Sequence, residues 1–347
     1  MPPTNKQASQ TSMRANTAEN SEQELMDIGV ILEQLSPQLD KLEQIIIEGI
    51  QTDIPLLTHV AEHILASGGK RLRPALVFLG AAMFDCADSS IMEAAQIVEY
   101  LHTATLLHDD VVDGADTRRS QKAARKIWGN DASVLTGDYL FSKAFHMLTE
   151  LRHPGILQLM ADTTTRMAKG ELLQLLRTYN TVNEKEYLEI ILNKTASLFA
   201  SAIKTGAVLA GGKEPACQNL HDYGMALGMA FQIVDDALDY SDEEQTGKPV
   251  GTDLQERKMT LPISHLLCNA NTKDKQRVSD ILEQTEITQE HIQEVIEMMN
   301  RYGSIHHTLK VAKSYIITAQ SHLVNLPNTP TRQVLNNIAD FVVYRHT

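Results

Sequence analysis

Cysteine is scarce in this chain: Cys86, Cys217 and Cys268 stand far apart, with no C-x-x-C spacing. Their scatter argues against a disulfide framework or a thiolate metal site, and reads as reduced, buried thiols in a cytoplasmic protein. Aromatic residues make up only 5% of the chain, and no stretch alternates polar and apolar residues as a half-buried strand would. Nowhere do about 18 apolar residues run together, so no integral membrane segment is expected. Residues 1–22 lack the apolar core of a secretory signal and are rich in Gln, Asn, Ser and Thr, the composition of a disordered tail. Positive charge is short as well. With 31 Lys and Arg against 44 Asp and Glu the formal net charge is −13, and no basic run suggests a nucleic-acid partner. Two catalytic signatures are also missing. Without a G-x-x-x-x-G-K-[ST] loop, nucleotide hydrolysis is disfavoured, and without G-x-S-x-G so is hydrolysis by an activated serine.

What the chain does have is helix-forming sequence, dominated by Ala, Leu, Ile, Glu and Gln, with 43% hydrophobic residues. The 347-residue length alone suggests about two domains. Apolar periodicity predicts a helix over 24–50 with a kink or break at Pro37, and a second from Pro55 to the stop at Ser67-Gly68-Gly69. Further helices are expected over 75–84, from Ser90 onward, and over 132–151, 156–178, 184–209 and 216–240. The remainder, 260–268, 278–283, 291–301, 304–323 and 331–344, carries no evident chemistry and is assigned to packing and oligomer contacts.

The helix beginning near Ser90, where Ser90 and Glu93 have capping-box spacing, ends in three carboxylates. Asp109 and Asp113 are one turn apart, and Asp110 lies about 100° round from Asp109, so all three share a sector. A single such cluster would suit a solvated helix end. The same spacing recurs at Asp235, Asp236 and Asp239, 126 residues later (109 to 235), again at the end of an apolar helix. Crowded carboxylates repel, and hard divalent cations are their natural counter-charge. Cations of the other kind are spread through the chain at Lys70 and Arg73 beside two glycines, Arg118 and Arg119, Lys194, and Lys248 and Lys258 in a long loop. Carboxylates that bind metal and cations that bind phosphate together point to a diphosphate held through bridging Mg²⁺.

In order and spacing, GGKRLRP (68–74), LLHDDVVD followed by two arginines (106–119), KT (194–195), FQIVDDALD (231–239) and GKPVGTDLQERKMTLP (247–262) resemble the trans-isoprenyl diphosphate synthases over about residues 25–345. The resemblance implies one all-α domain over 23–347, an isoprenoid-synthase-type helical bundle around a deep central cavity, and a homodimer. It implies Mg²⁺, three ions with Mn²⁺ able to substitute: Asp109, Asp110 and Asp113 binding two, Asp235, Asp236 and Asp239 a third. Arg118, Lys194, Thr195, Gln232, Lys248 and Lys258 would contact an allylic diphosphate, and Lys70, Arg73, His102 and Arg119 a metal-free isopentenyl diphosphate. His102 falls two turns before Asp109 on the same face, which suits that role, whereas His108 points about 100° away and reads as structural.

The implied reaction is ionisation, condensation and proton loss, giving a product for use as a quinone side chain. Small residues at Ala104 and Thr105, where short-chain relatives carry aromatic rings, imply a long product, with Met160 or Leu148 as its floor. A shorter-chain synthase, a terpene cyclase and a non-catalytic subunit are the alternatives. One stretch departs from the family pattern: Ser120 stands where a glycine is usual, and Gln121 to Arg125 replace a Pro/Thr- and Asn-containing run.

Overall fold

Proline and turn residues set where the first helices begin. The structure, a computed structural model, describes residues 28–86, 88–118, 121–177, 182–241 and 250–344. It opens with α1 (Ile28–Leu32), a 3-10 turn (Glu33–Leu35) and α2 (Ser36–Gly49). Pro37 sits in the first turn of α2, where its missing N–H removes no helical bond, so the helix expected over 24–50 breaks just before it. Residues 24–27, and the expected tail 1–22, lie outside the described residues. Helix α3 (Pro55–Ala66) starts on its proline as the sequence indicates, and α4 (Leu72–Ala82) follows Arg71, which adopts a left-handed φ of 44°.

Helix α5 (Ser89–Val112) is capped one residue ahead of its start. Asp88, on extended backbone, accepts the Ser90 N–H at 2.7 Å, and this replaces the expected Ser90/Glu93 box because Ser90 is already helical. A two-residue ribbon follows, β1 (Thr117–Arg118) antiparallel to β2 (Gln121–Lys122) with Thr117 opposite Lys122; no alternation in the sequence signals so short a pair. Helix α6 (Ala124–Glu150) begins earlier than its periodicity suggests and is bent at Gly129, and α7 (Pro154–Arg177) follows.

Next comes a helix in three parts. Asn183 and Glu186 form a reciprocal capping box for α8 (Glu184–Ile191), a π-helical turn covers Leu192–Ala196, and α9 (Ser197–Leu209) continues. Helix α10 (Glu214–Leu238), the short α11 (Thr252–Gln255), α12 (Leu261–Asn269), α13 (Thr272–Leu282), α14 (Gln289–Arg301), α15 (Ser304–Leu323) and α16 (Pro330–Tyr344) complete the chain. Helix α13 starts six residues before the expected 278 because Asn271 caps it and its first turns are polar, invisible to apolar periodicity.

Packing is helix on helix throughout. α5 runs along α6 and touches α4 and α9; α9 lies between α4 and α10; α10 packs on α15. Helix α5 is enclosed on nearly all sides: Ile97, Leu101, Ala104 and Leu107 are fully buried, and burying each Leu or Ile stabilises by roughly 1.5–3 kcal/mol. Two of its buried polar members, Gln96 and Tyr100, are satisfied inside. Tyr100 donates to the Ile46 carbonyl at 3.1 Å and accepts from Gln96, and burial pushes its phenol up to about 12. A second, smaller cluster (Tyr240, Leu254, Ile263, Val278, Ile292, Met299) packs beside the main core, and Met259 touches both. Among the described residues no helix is long and apolar enough to cross a membrane.

Candidate active site

Both carboxylate clusters sit at helix C-termini. Asp109 and Asp110 end α5 and Asp113 follows it; Asp235 and Asp236 end α10 and Asp239 follows it. The C-terminal end of a helix is its negative pole, so each cluster puts anions where the backbone already disfavours them. Stability alone would not select this, and the structure offsets it with cations at the first cluster and neutral hydrogen-bond donors at the second.

Each member of the first cluster has its own cation. Arg118 Nε donates to Asp110 Oδ1 at 2.6 Å, Lys258 Nζ to Asp113 Oδ2 at 2.7 Å, and Lys194 Nζ stands 3.9 Å from Asp109 Oδ2 while contacting Glu171. Burial pushes the Asp109 carboxyl up to about 6 against the pull of Lys194, with Glu171 and Asp113 adding to the rise. Asp110, fully buried, is raised by the same cause, and Arg118 opposes it.

The second cluster is held by neutral donors. Tyr187 O–H donates to Asp236 Oδ2 at 2.6 Å and Gln232 Nε2 to Oδ1 at 2.8 Å, while the Asp253 N–H donates to Asp239 Oδ2 at 2.8 Å. Burial brings Asp236 to about 7 and Asp239 to about 6, in each case against the hydrogen bonds they accept.

Two chains of contacts join the clusters. Thr195, next to Lys194, donates to Gln232 at 3.0 Å, so the π turn leads from Asp109 to Asp236. Lys258 pairs with Asp113 and also acts on the half-buried Asp253, whose N–H donates to Asp239. The widened π turn is what presents Lys194 and Thr195 here, a local geometry often found at functional positions.

The glycine-flanked basic cluster builds a separate part of the site. Arg73, in the first turn of α4, donates from Nη1 toward His102 Nε2 at 3.1 Å and lies over the Phe199 ring, 4.6 Å from its centroid. Lys70 lies 4.8 Å over the Phe341 ring of α16. Helix α16, read from sequence as packing, thus reaches a candidate site residue. Arg71, between them, is structural: it contacts Glu43 of α2 and buried Glu99 of α5. His102 is seven residues before Asp109, about 10 Å along α5. Phe199 is itself paired with Phe231, their ring centroids 5.3 Å apart.

The remaining expectations divide. Arg119 and Lys248 lie outside the described residues. His108 is structural, as expected, with Nε2 at 3.2 Å from the Val134 carbonyl and 3.3 Å from Asp138 of α6. Ala104, Leu148 and Met160 are buried in the main core, whereas Thr105 is half-buried with its hydroxyl on the His102 carbonyl at 2.7 Å. Sequence reasoning passed over Glu171, Tyr187 and Glu256. A signal existed for Glu171: it follows Gly170, where a Cβ would lie 2.5 Å from the Lys194 backbone nitrogen, so the glycine marks a close approach.

Whether the residues fit divalent metal can be judged from the site itself. The donor set is all carboxylate oxygen, as a hard cation prefers, and Asp110 Oδ2 is a buried acceptor with no protein partner. Among the described residues no three ligands converge on one point, and Arg118, Lys194 and Lys258 each stand against one carboxylate of the first cluster. The set therefore fits metal arriving with an anion that draws those cations away.

Comparison with known proteins shows the family. The polyprenyl synthetase family profile matches residues 54–299. Octaprenyl diphosphate synthase of Haemophilus influenzae is 38% identical over 326 residues, 93% of this chain and 99% of the relative. The Escherichia coli protein of the same name is 37% identical over 92% of this chain and 99% of its own length. Among solved structures, a decaprenyl diphosphate synthase from Rhodobacter capsulatus aligns with a TM-score of 0.87 at 35% identity, covering 92% of this chain and 100% of that one. A polyprenyl synthase from Caulobacter crescentus, complexed with calcium and isoprenyl diphosphate, gives 0.88 at 36%, covering 93% and 99%. The chain belongs to the polyprenyl synthetase family, and its fold is the all-helical isoprenoid-synthase one. It is an enzyme, a prenyltransferase of the long-chain, all-trans polyprenyl diphosphate synthase type, a class that acts on isoprenoid diphosphates and generally depends on divalent metal.

Proposed function

We propose that the chain extends an allylic diphosphate such as farnesyl diphosphate by repeated addition of isopentenyl diphosphate, as one catalytic domain acting in a homodimer in the cytoplasm. The observation that carries this reading is the pair of lysines between the carboxylate clusters, Lys194 at Asp109 and Lys258 at Asp113, each leading on to the second cluster. One diphosphate in that space would meet both lysines, Arg118, Thr195 and Gln232, with Lys248 contributing from the long loop. Asp109, Asp110 and Asp113 would hold two Mg²⁺ and Asp235, Asp236 and Asp239 a third, with Mn²⁺ able to replace them. When bound, these ions neutralise charge on the departing diphosphate. That the Caulobacter structure is complexed with calcium and isoprenyl diphosphate supports a site that takes divalent metal together with a prenyl diphosphate.

The residues' own part follows from their placement. As the allylic C–O bond breaks, its electron pair passes to the diphosphate, and Lys194, Lys258 and Arg118 donate to oxygens that gain charge in that step. Lys70, Arg73 and His102 hold isopentenyl diphosphate about two turns along α5, a role the family resemblance also implies for Arg119, so that its double bond forms the new C–C bond to the allylic carbon. A proton then leaves the adjacent carbon for the released diphosphate. Phe199, Phe231 and Thr103 keep water from the cation. The tail grows past Thr105 and Ala104 toward Leu148 and Met160. Incubation of purified protein with Mg²⁺, labelled isopentenyl diphosphate and farnesyl diphosphate tests this: products of C35 or longer are expected. Products stopping at about C20, or none, would contradict it.

A further inference from the structure

The stretch from the first carboxylate cluster into α6, whose sequence departs from the family pattern, contains a residue with no assigned role. Helix α5 ends in a Schellman turn: Gly114 has φ 68°, the Ala115 N–H donates to the Asp110 carbonyl at 3.0 Å and the Gly114 N–H to the Val111 carbonyl at 3.3 Å. The chain then runs through Asp116 and the β1–β2 ribbon into α6. Arg125, in the first turn of α6, reaches back across it. Its Nη1 donates to the Gly114 carbonyl at 2.6 Å, the Ala115 carbonyl at 2.9 Å and the Asp116 carboxylate at 3.0 Å, and its Nε to Asn130 at 3.3 Å. Asp116 is held again by Lys126 at 2.9 Å, and its carbonyl accepts the Ala123 N–H at 2.9 Å. From below, His63 Nε2 meets the Lys122 carbonyl at 2.8 Å.

The ribbon so fixed carries Arg118, whose Nε rests on Asp110. Where the Arg118 guanidinium stands is thus set at one end by its contact with Asp110 and at the other by the Arg125 clamp. Only an arginine fork meets acceptors from Nη1 and Nε together; a lysine ammonium presents all its donors at one point. A pre-placed Arg118 loses less freedom when an anion arrives, which strengthens binding without any new contact.

We propose that Arg125 is a positioning residue for the allylic diphosphate, acting through Arg118 without touching the substrate. This rests on the reading of Arg118 as a contact to that diphosphate. The test compares wild type, Arg118→Ala, Arg125→Gln and the double variant, measuring kcat, the KM for farnesyl diphosphate, the KM for isopentenyl diphosphate and the melting temperature. Arg125→Gln is expected to raise the farnesyl diphosphate KM about tenfold and the isopentenyl diphosphate KM by less than about twofold. In the Arg118→Ala background the same change should add less than about twofold. Should Arg125→Gln melt below the assay temperature, Arg125→Lys, which keeps the charge and loses the fork, replaces it. Equal rises in both KM values, full additivity in the double variant, or no change in either KM would overturn the proposal while leaving the site reading intact. An unchanged farnesyl diphosphate KM in Arg118→Ala alone would overturn the site reading, and the proposal with it.

Discussion

The Lys258 ammonium lies 2.7 Å from the Asp113 carboxylate, a residue 145 positions earlier in the chain, and the same ammonium meets Glu256 at 2.7 Å. This contact brings the loop after the second carboxylate helix onto the end of the first. A lysine held so between carboxylates is charged, since their influence raises its proton affinity more than burial lowers it. Replacing Lys258 by Met should cut kcat by about 100-fold or more, through loss of a charged donor to the leaving group. Circular dichroism should stay that of a folded helical protein. A kcat within about threefold of wild type would mean that Lys258 is only a counter-ion for Asp113.

Tyr187 was not legible as a site residue, yet its phenol supplies one of the two side-chain hydrogen bonds that hold Asp236. Tyr187→Phe removes that donor with almost no change in shape, so the Asp236 carboxyl should rise further from the ordinary carboxylate range. We expect Mg²⁺ in the presence of an allylic diphosphate analogue to bind about three- to tenfold more weakly, measured by calorimetry at pH 7. Unchanged metal affinity would show that Asp236 needs no such support.

The raised carboxyls predict how the metal-free protein answers to pH. Asp236 near 7, and Asp109 and Asp239 near 6, lie above their unfolded values, so the native state binds more protons than the unfolded chain across the interval between. Stability from these groups is therefore fully present below the unfolded carboxylate range and is lost as pH rises through about 6 to 7. Metal-free protein should melt higher at about pH 6 than at pH 8, and Mg²⁺ with a diphosphate should remove the difference by taking the deprotonated form. Calorimetry in buffers of different ionisation enthalpy should register proton release on binding near pH 6.5. Equal melting temperatures across that range, with no proton release, would contradict the assignment.

Product length offers a separate handle. Thr105 is half-buried and can take a larger side chain without overfilling the core, so Thr105→Phe should shorten the product by several isoprene units and keep turnover. Ala104 is fully buried, and Ala104→Tyr should shorten the product too, at a loss of about 1–3 kcal/mol in stability from overpacking. Thin-layer separation of the dephosphorylated products reads both. An unaltered ladder in Thr105→Phe would remove that residue from the path of the tail.

Much of this was written in the sequence, and the parts that were not share a physical reason. The long helices were legible because an apolar face recurs each turn, and the two carboxylate clusters because a charged triplet ending an apolar helix has no packing explanation. Helix α13 was misplaced because its first turns are polar and capped by Asn271, which periodicity ignores, and the start of α6 because the bend at Gly129 interrupts its period. The contacts that complete the site, Glu171 on Lys194, Tyr187 on Asp236 and Arg125 on the loop carbonyls, join residues of ordinary type across turns that only tertiary packing creates. The π turn at Leu192–Ala196 belongs with them, since nothing in LNKTA distinguishes it from regular helix.

The central claim is that both carboxylate clusters grip one diphosphate through shared metal. It is tested most directly by binding of a non-reacting thio-analogue of farnesyl diphosphate, with and without Mg²⁺, to wild type, Asp109→Asn and Asp235→Asn. We predict Mg²⁺-dependent binding in wild type that either single substitution weakens by about tenfold or more, since each removes a ligand charge from the same assembly. Wild-type, metal-dependent affinity retained in either variant would contradict it.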